Sequence, residues 1–451
     1  MYQQLTIWSI FGILAYLFVI LLAGLFITGH KYADKRLRFY CIAGLFLKLF
    51  AGIAFALLYE FHYHWEGDTF YYFRNACRLA NTFFESPVSY FKILFDMVDS
   101  SNIGAIDISN YNPMVHWDNS SGRYAIHRFV SIFAIAGFNN YYMISLLMNT
   151  FLYWINWKVF CFIITLFPKQ QKIAFVSFMC VPSVLLFGSG IMKDSFTLSF
   201  SGLIMVAMYR VFFERKINLK YLFLLFISLY VVFELKPYII YAFVIAMLAW
   251  WGMMYIQKVK NAVLRLVVLP VGVIMTAIVL MYFVSAMGNL AGGRYSSIET
   301  MVESASMSQY DLKQDYYEGE SFDIGGYTDV AGAVALIPSA IIAGLYRPYL
   351  WEAHSFAMAI SGMENFIILF LSLYLLIKVG IRKTLSTMSD NMFLLFALLL
   401  SLILSIGIGL STSNFAALVR FRIPLMPYFI FFILFVIQVN SKKYNTALSQ
   451  K

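Results

Sequence analysis

Charged side chains are scarce in this chain. They make up 12% of its 451 residues, against about a quarter in an ordinary soluble domain. With 61% of residues hydrophobic, that scarcity excludes both a soluble globule and a disordered polymer. Cysteine is scarcer still. The four are Cys41, Cys77, Cys161 and Cys180, and only Cys77 falls in an expected external segment, so no disulfide framework is expected. The chain shows no internal repeat, no nucleotide-binding Gly-rich loop, no nucleophile elbow and no Cys-x-x-Cys. Its formal charge of +10 is scattered through short linkers and forms no stripe, which excludes nucleic acid as a partner.

What the chain does have is apolar length. A helix needs about 20 mostly apolar residues to cross a bilayer. Such runs lie at 5–28, 39–59, 140–167, 173–190, 191–213, 221–235, 237–256, 266–287, 360–378, 391–410 and 423–439. The expected fold is therefore all-α, a polytopic membrane protein with about 11 transmembrane helices in one domain, 1–451. Two shorter apolar stretches, 125–137 and 331–346, read as re-entrant or interfacial helices beside a cavity, where broken helices are tolerated at membrane depth.

The basic linkers fix an expected orientation. They are His30–Arg38, Lys169–Lys172, Arg210–Lys220, Lys258–Arg265, Lys378–Lys383 and the tail after Asn440. The positive-inside rule puts all of them in the cytoplasm. No Lys or Arg precedes the first apolar run, Leu5–Thr28, and basic residues follow it, the reverse of a cleaved signal peptide. The chain is thus expected in the plasma (inner) membrane as a multi-pass protein, with its N-terminus outside and its C-terminus cytoplasmic. Two long polar segments, 60–124 and 288–330, become external loops, and loops of that length are usually functional or mobile.

Once the linkers are inside, the remaining charges collect at the opposite face. Ionisable groups there cost several kcal/mol unless paired or functional. The sharpest local pattern is His62-Tyr63-His64-Trp65-Glu66-Gly67-Asp68-Thr69-Phe70-Tyr71-Tyr72. Glu66 and Asp68 could share a divalent ion such as Mg or Mn, or one could act as general base while the other orients it. Trp65, Tyr71 and Tyr72 offer faces for a sugar ring or an isoprenoid tail. The same residues also fit an interfacial aromatic turn with solvated carboxylates.

A second pattern is Asn414-Phe415-Ala416-Ala417-Leu418-Val419-Arg420-Phe421-Arg422-Ile423-Pro424. Arg420 and Arg422, before a proline, form a phosphate clamp, because guanidinium stays charged and donates bidentately; headgroup anchoring is the other account. Lys193 and Asp194 follow Gly188-Ser189-Gly190 and supply one charge of each sign. Arg347, Trp351 and Glu352 could hold an anionic group and a ring. Lys236 interrupts an apolar run, with Glu234 a candidate partner. Arg123, His127 and Arg128 crowd the start of the 125–137 stretch, where each could also snorkel to headgroups. His62, His64, His116, His127 and His354 all map outside, but no pair has helical ligand spacing with a third partner, so a zinc site is not expected. Asn119-Ser120-Ser121 matches a glycosylation acceptor.

Taken together, these residues resemble the type C glycosyltransferases (GT-C), multi-span enzymes that use polyprenyl-phosphate-linked sugars at the outer membrane face. Glu66-Gly67-Asp68 is similar to the family's variant acidic motif. Arg420-Phe421-Arg422-Ile423-Pro424 is similar to the basic-proline ending of many members, and the span count and half-helices fit as well. The resemblance implies that Asp68 is the catalytic base or metal-linked acid, with Glu66 beside it, and that Arg420 and Arg422 hold the lipid phosphate. It implies a polyprenyl-linked sugar donor and membrane lipid as partners. The globular C-terminal domain of some members has no counterpart here. Lys193-Asp194 and Arg347–Glu352 have none either, and resemble instead bacterial proteins of surface-polysaccharide assembly, including repeat-unit polymerases.

The expected function is transfer of a sugar from a polyprenyl-(di)phosphate donor at the external face, with Asp68 and the two arginines meeting in one pocket. Three rivals stand beside it. A repeat-unit polymerase would share the arginines but depend less on a loop carboxylate. A lipid-linked sugar flippase would carry charges near the midplane, as Lys48 and Lys158 do. A non-catalytic assembly subunit would tolerate replacement of Asp68, Arg420 and Arg422.

Overall fold

The computed structural model describes residues 5–97, 121–258, 297–314, 321–353 and 355–441. The expected span 266–287, His116, Asn119 and His354 lie outside the described residues. Among the described residues the chain is helical throughout, with no strand beyond one isolated bridge, Ser321 with Asn414. Among the described residues, seven helices are long and apolar enough to cross a membrane: Ile7–Lys31, Lys35–Phe61, Tyr141–Leu166, Lys193–Phe213, Pro237–Lys258, Met358–Val379 and Met392–Ser411. An eighth arises if the bent pair Phe415–Phe421 and Met426–Val439, inclined at 70°, is one span. These helices mark a polytopic membrane protein.

Two expected crossings differ. The 173–190 run is divided into Gln171–Met179 and Pro182–Phe187. Pro182 has no N–H to continue the first ladder, and it starts the second piece. The 221–235 run is one helix, Leu219–Leu235, of 17 residues. At about 1.5 Å per residue its length lies at the short end of what a crossing needs.

The chain forms two compact units: Met1–Thr165 with Val184–Leu203 and Phe226–Lys236, and Leu166–Ser183 with Ile204–Leu225 and Pro237–Lys451. In the first, the segment expected as a polar loop contains an 18-residue helix, Asp68–Glu85. Thr69, Phe70, Phe73, Ala76, Cys77, Leu79 and Ala80 recur at helical spacing and are buried, while Tyr71, Arg74 and Arg78 stay exposed. The helix packs against Ser121–Ala136, whose Ala125, Ile126, Val130 and Ala134 are buried. A short helix, Pro87–Leu94, follows. Ser86 caps it and proline occupies its first turn. Tyr90 joins Leu79, Ile93 and Tyr124 in a satellite core, and its hydroxyl shares a hydrogen bond with Ser131 at 3.1 Å.

In the second unit the core is aromatic. Phe167, Phe393, Phe431 and Phe435 pack together, and Trp250, Phe396, Phe243 and Tyr428 continue the cluster. The 331–346 stretch forms Val330–Ala335 and Ile337–Tyr346. The latter crosses Met392–Ser411 backbone to backbone. A methyl on Gly409 would stand 2.2 Å from the Ala340 carbonyl oxygen, and one on Gly344 would stand 2.6 Å from that of Ser405. Small residues allow this approach where lipid supplies no hydrophobic drive. Gly409→Ala is therefore expected to destabilise the unit by about 1–3 kcal/mol, seen as a lower thermal midpoint in detergent. An unchanged midpoint would exclude so close a crossing.

Candidate functional site

In the first unit, the aromatic–acidic pattern forms a tight left-handed turn. His64, Trp65 and Gly67 have φ of 46°, 71° and 90°. Gly67 takes the last of these without a Cβ penalty, and Asp68 then opens the Asp68–Glu85 helix, where a carboxylate suits the positive helix end. Glu66 and Asp68 are both exposed. Trp65 is half-buried, edge-on to Phe70 at 4.5 Å, and Phe70 leans on Tyr141 at 4.8 Å. Among the described residues no cluster of three or more His, Cys, Asp or Glu could hold a metal. Glu66 and Asp68 would thus offer an Mg ion two carboxylates at most, leaving water or substrate phosphate to complete its oxygen shell.

Behind that turn the polar groups are buried. Tyr72 lies 4% exposed, its ring 5.9 Å from the His127 ring and 5.9 Å from the Lys193 ammonium. Tyr71 approaches the His127 ring as well, at 5.3 Å. The adjacent Arg128 is fully buried. It pairs with Glu234 at 2.7 Å and with Asp96 at 3.4 Å, and its guanidinium covers the Tyr124 ring. Glu234 therefore serves Arg128. Lys236 takes Asp194 instead, both side chains being nearly closed to solvent. The turn beyond Pro182 is held from below. Lys48 donates to the Gly188 carbonyl, and Asn149 donates to that of Ser189 at 2.7 Å.

The second unit holds the arginines. The 414–427 segment breaks at Arg422–Leu425 because Pro424 lacks a donor and Pro427 enters the first turn of the next helix. The Arg422 carbonyl accepts from Leu425 and Met426 at 3.0 and 3.2 Å, which carries the chain through the bend. Its side chain is fully buried. Nη1 donates to the Arg347 carbonyl at 2.8 Å, while Nε and Nη2 meet no acceptor among the described residues. Arg420 is half-buried beside it in sequence.

Around Arg422 the backbone is clasped twice. Asn365 donates to the Pro348 carbonyl at 2.8 Å, next to the carbonyl that Arg422 holds. Glu364, the neighbour of Asn365, receives the Ser183 amide at 2.8 Å and the Ser183 hydroxyl at 2.7 Å. It is also the carboxylate whose field acts on Arg422. Glu364 sits inside an apolar run, where no neighbouring motif draws attention to it. One buried carboxylate in such a run is itself the signal. Arg347 pairs with Glu352 at 2.8 Å and lies over the rings of Phe322, at 5.1 Å, and Tyr349, at 5.6 Å. Trp351 stacks on Tyr349 at 4.8 Å and 19°, and is 70% exposed. Beside this group, Asp323 accepts from the Gly325 amide and pairs with Lys313; these contacts hold its carboxyl below the usual range.

The residues singled out from sequence thus form two sets, each within one unit. Tyr72, His127, Arg128, Lys193, Asp194 and Lys236 are linked behind the Trp65–Asp68 turn of the first. Arg347, Trp351, Glu352 and Arg422 are linked in the second, with Arg420 close by in sequence. No family model, curated protein or solved structure matches this chain.

Proposed function

We propose that this protein is an integral membrane glycosyltransferase of the GT-C type, acting in cell-surface glycan assembly. It would move a sugar from a polyprenyl-phosphate or polyprenyl-diphosphate donor to an acceptor hydroxyl at the external face. The observation that carries this reading is Arg422, a fully buried guanidinium with two nitrogens that meet no acceptor among the described residues. A buried charge is costly unless something satisfies it, and a phosphate oxygen matches both its charge and its fork geometry.

In the proposed reaction the acceptor oxygen bonds to the anomeric carbon as the bond from that carbon to the phosphate oxygen breaks. The departing phosphate keeps the electron pair, and the guanidiniums stabilise the charge growing on it. The acceptor's proton passes to Asp68, the assigned base, with Glu66 beside it. A divalent ion at these carboxylates would add Lewis-acid help.

Asp68→Ala is expected to stop transfer in cells, so that mass spectrometry of the lipid-linked glycans finds the donor accumulated. An unaltered glycan profile would sink the assignment. A second reading, a repeat-unit polymerase, draws support from the exposure of Glu66 and Asp68, since the most deeply built charge in the second unit is basic. Asp68→Asn separates the two. Lost turnover with donor binding intact favours the transferase, and unchanged glycan chain lengths favour the polymerase.

A further inference from the structure

Trp351 has one covered face and one open one. Tyr349 stacks on it nearly parallel, yet 70% of Trp351 is exposed. Behind Tyr349 the planar groups continue: the Arg347 guanidinium lies over Tyr349 and over Phe322, and Phe322 stacks on Phe415 at 5.0 Å. The result is a ladder of flat groups that ends in an open indole.

The backbone carrying the ladder is held rigidly from inside. Arg422 grips the Arg347 carbonyl, and Asn365 grips that of Pro348. Glu352 closes the turn by accepting from the Tyr349 amide at 2.9 Å, while its own amide donates back to the Tyr349 carbonyl at 3.0 Å. The Arg347–Glu352 pair, with side chains 23% and 18% exposed, belongs to the same turn, with Arg347 against Tyr349 and Glu352 next to Trp351 in sequence.

We propose that the Arg347–Glu352 turn is a saccharide-binding shelf, which deepens the transferase reading and rests on it for its role. A pyranose ring has an apolar face of C–H bonds whose positive edges suit the negative face of an indole. Its equatorial hydroxyls need donors and acceptors, and the same turn carries one of each in the partly exposed Arg347 and Glu352. An acyl chain would use the indole but not the ion pair. A tryptophan that only marks the bilayer interface needs no buried double clasp, whereas a binding surface gains affinity from being fixed beforehand. The occupant is a hexopyranose unit of the acceptor or of the growing glycan.

The test uses the full chain in lipid nanodiscs, with methyl glycosides of glucose, galactose and N-acetylglucosamine as probes. Saturation-transfer NMR is expected to mark the protons of one sugar face for at least one probe. Trp351→Ala is expected to weaken binding about tenfold or more, and Trp351→Phe to keep part of it. The side chain is mostly exposed, so the Ala variant should keep its thermal midpoint. Equal saturation transfer from wild type and Trp351→Ala would overturn the shelf. So would quenching of Trp351 by brominated phospholipid with no glycoside bound, which identifies a lipid anchor. Failure here with loss of sugar transfer on replacing Asp68 or Arg422 removes the shelf alone. Trp351-dependent glycoside binding without that loss removes the transferase reading and leaves a saccharide site.

Discussion

Arg422→Lys is expected to lower sugar transfer by about 100- to 1,000-fold while leaving the protein folded. The side chain is buried, and its three nitrogens have different tasks. Nη1 fastens the Arg347 carbonyl, and Nε with Nη2, which meet no acceptor among the described residues, are the ones proposed to hold the phosphate. Lysine keeps the charge and can keep one of these bonds. It cannot hold the carbonyl and present a two-pronged donor together, because its three donors diverge from a single point. The loss should fall on kcat more than on KM, since phosphate charge is greatest as the sugar departs. Arg422→Ala is a harsher change. It leaves the carbonyl and the nearby Glu364 without their cation, so a lower thermal midpoint is expected as well. The measurement is transfer from a purified polyprenyl-phosphate sugar in nanodiscs, beside a melting curve for each variant. Wild-type turnover by the Lys variant would mean that the open nitrogens meet no reacting charge.

Parts of this fold are written plainly in the sequence and parts are not, for physical reasons. Long apolar runs are read by composition alone, and seven of them became long helices with ends within several residues of expectation. The Asp68–Glu85 helix was passed over because its burial is one-sided. Arg74, Asn75, Arg78 and Asn81 dilute its hydropathy, although Phe70, Phe73, Cys77 and Ala80 keep a helical period. Its buried face exists only because Ser121–Ala136 covers it, 27 residues beyond the described end of the previous helix at Leu94 in chain order. The broken 173–190 run was announced by Pro182, whose local signal was outweighed by continuous apolarity. Arg422 was legible because two arginines before a proline are rare on an apolar background. Glu364 was not, since its partner Ser183 lies 181 residues away and only folding joins them. The ion pairs show the same limit. Lys236 was matched to the nearby Glu234, whereas packing gave Glu234 to Arg128 and Asp194 to Lys236.

That last exchange leads to the second large effect. Asp194 and Lys236 form an ion pair whose side chains are only 4% and 9% exposed. Asp194 also lies in the first turn of the Lys193–Met208 helix, where the dipole favours its charge. Removing one partner strands the other in a low-dielectric interior. Asp194→Leu or Lys236→Met alone is thus expected to cost about 3–5 kcal/mol. The double variant, Asp194→Leu with Lys236→Met, removes both charges and should recover most of that loss, because two apolar chains can fill the same space. Thermal unfolding in detergent reads the three variants against wild type. A double variant no more stable than the worse single one would show that the pair's role is not mutual neutralisation. The same double variant also separates structure from chemistry. If stability returns and sugar transfer returns with it, the pair is a membrane-embedded brace. If stability returns and transfer does not, the buried charges serve the substrate, and the site of the first unit extends inward from Tyr72 and Lys193 to this pair.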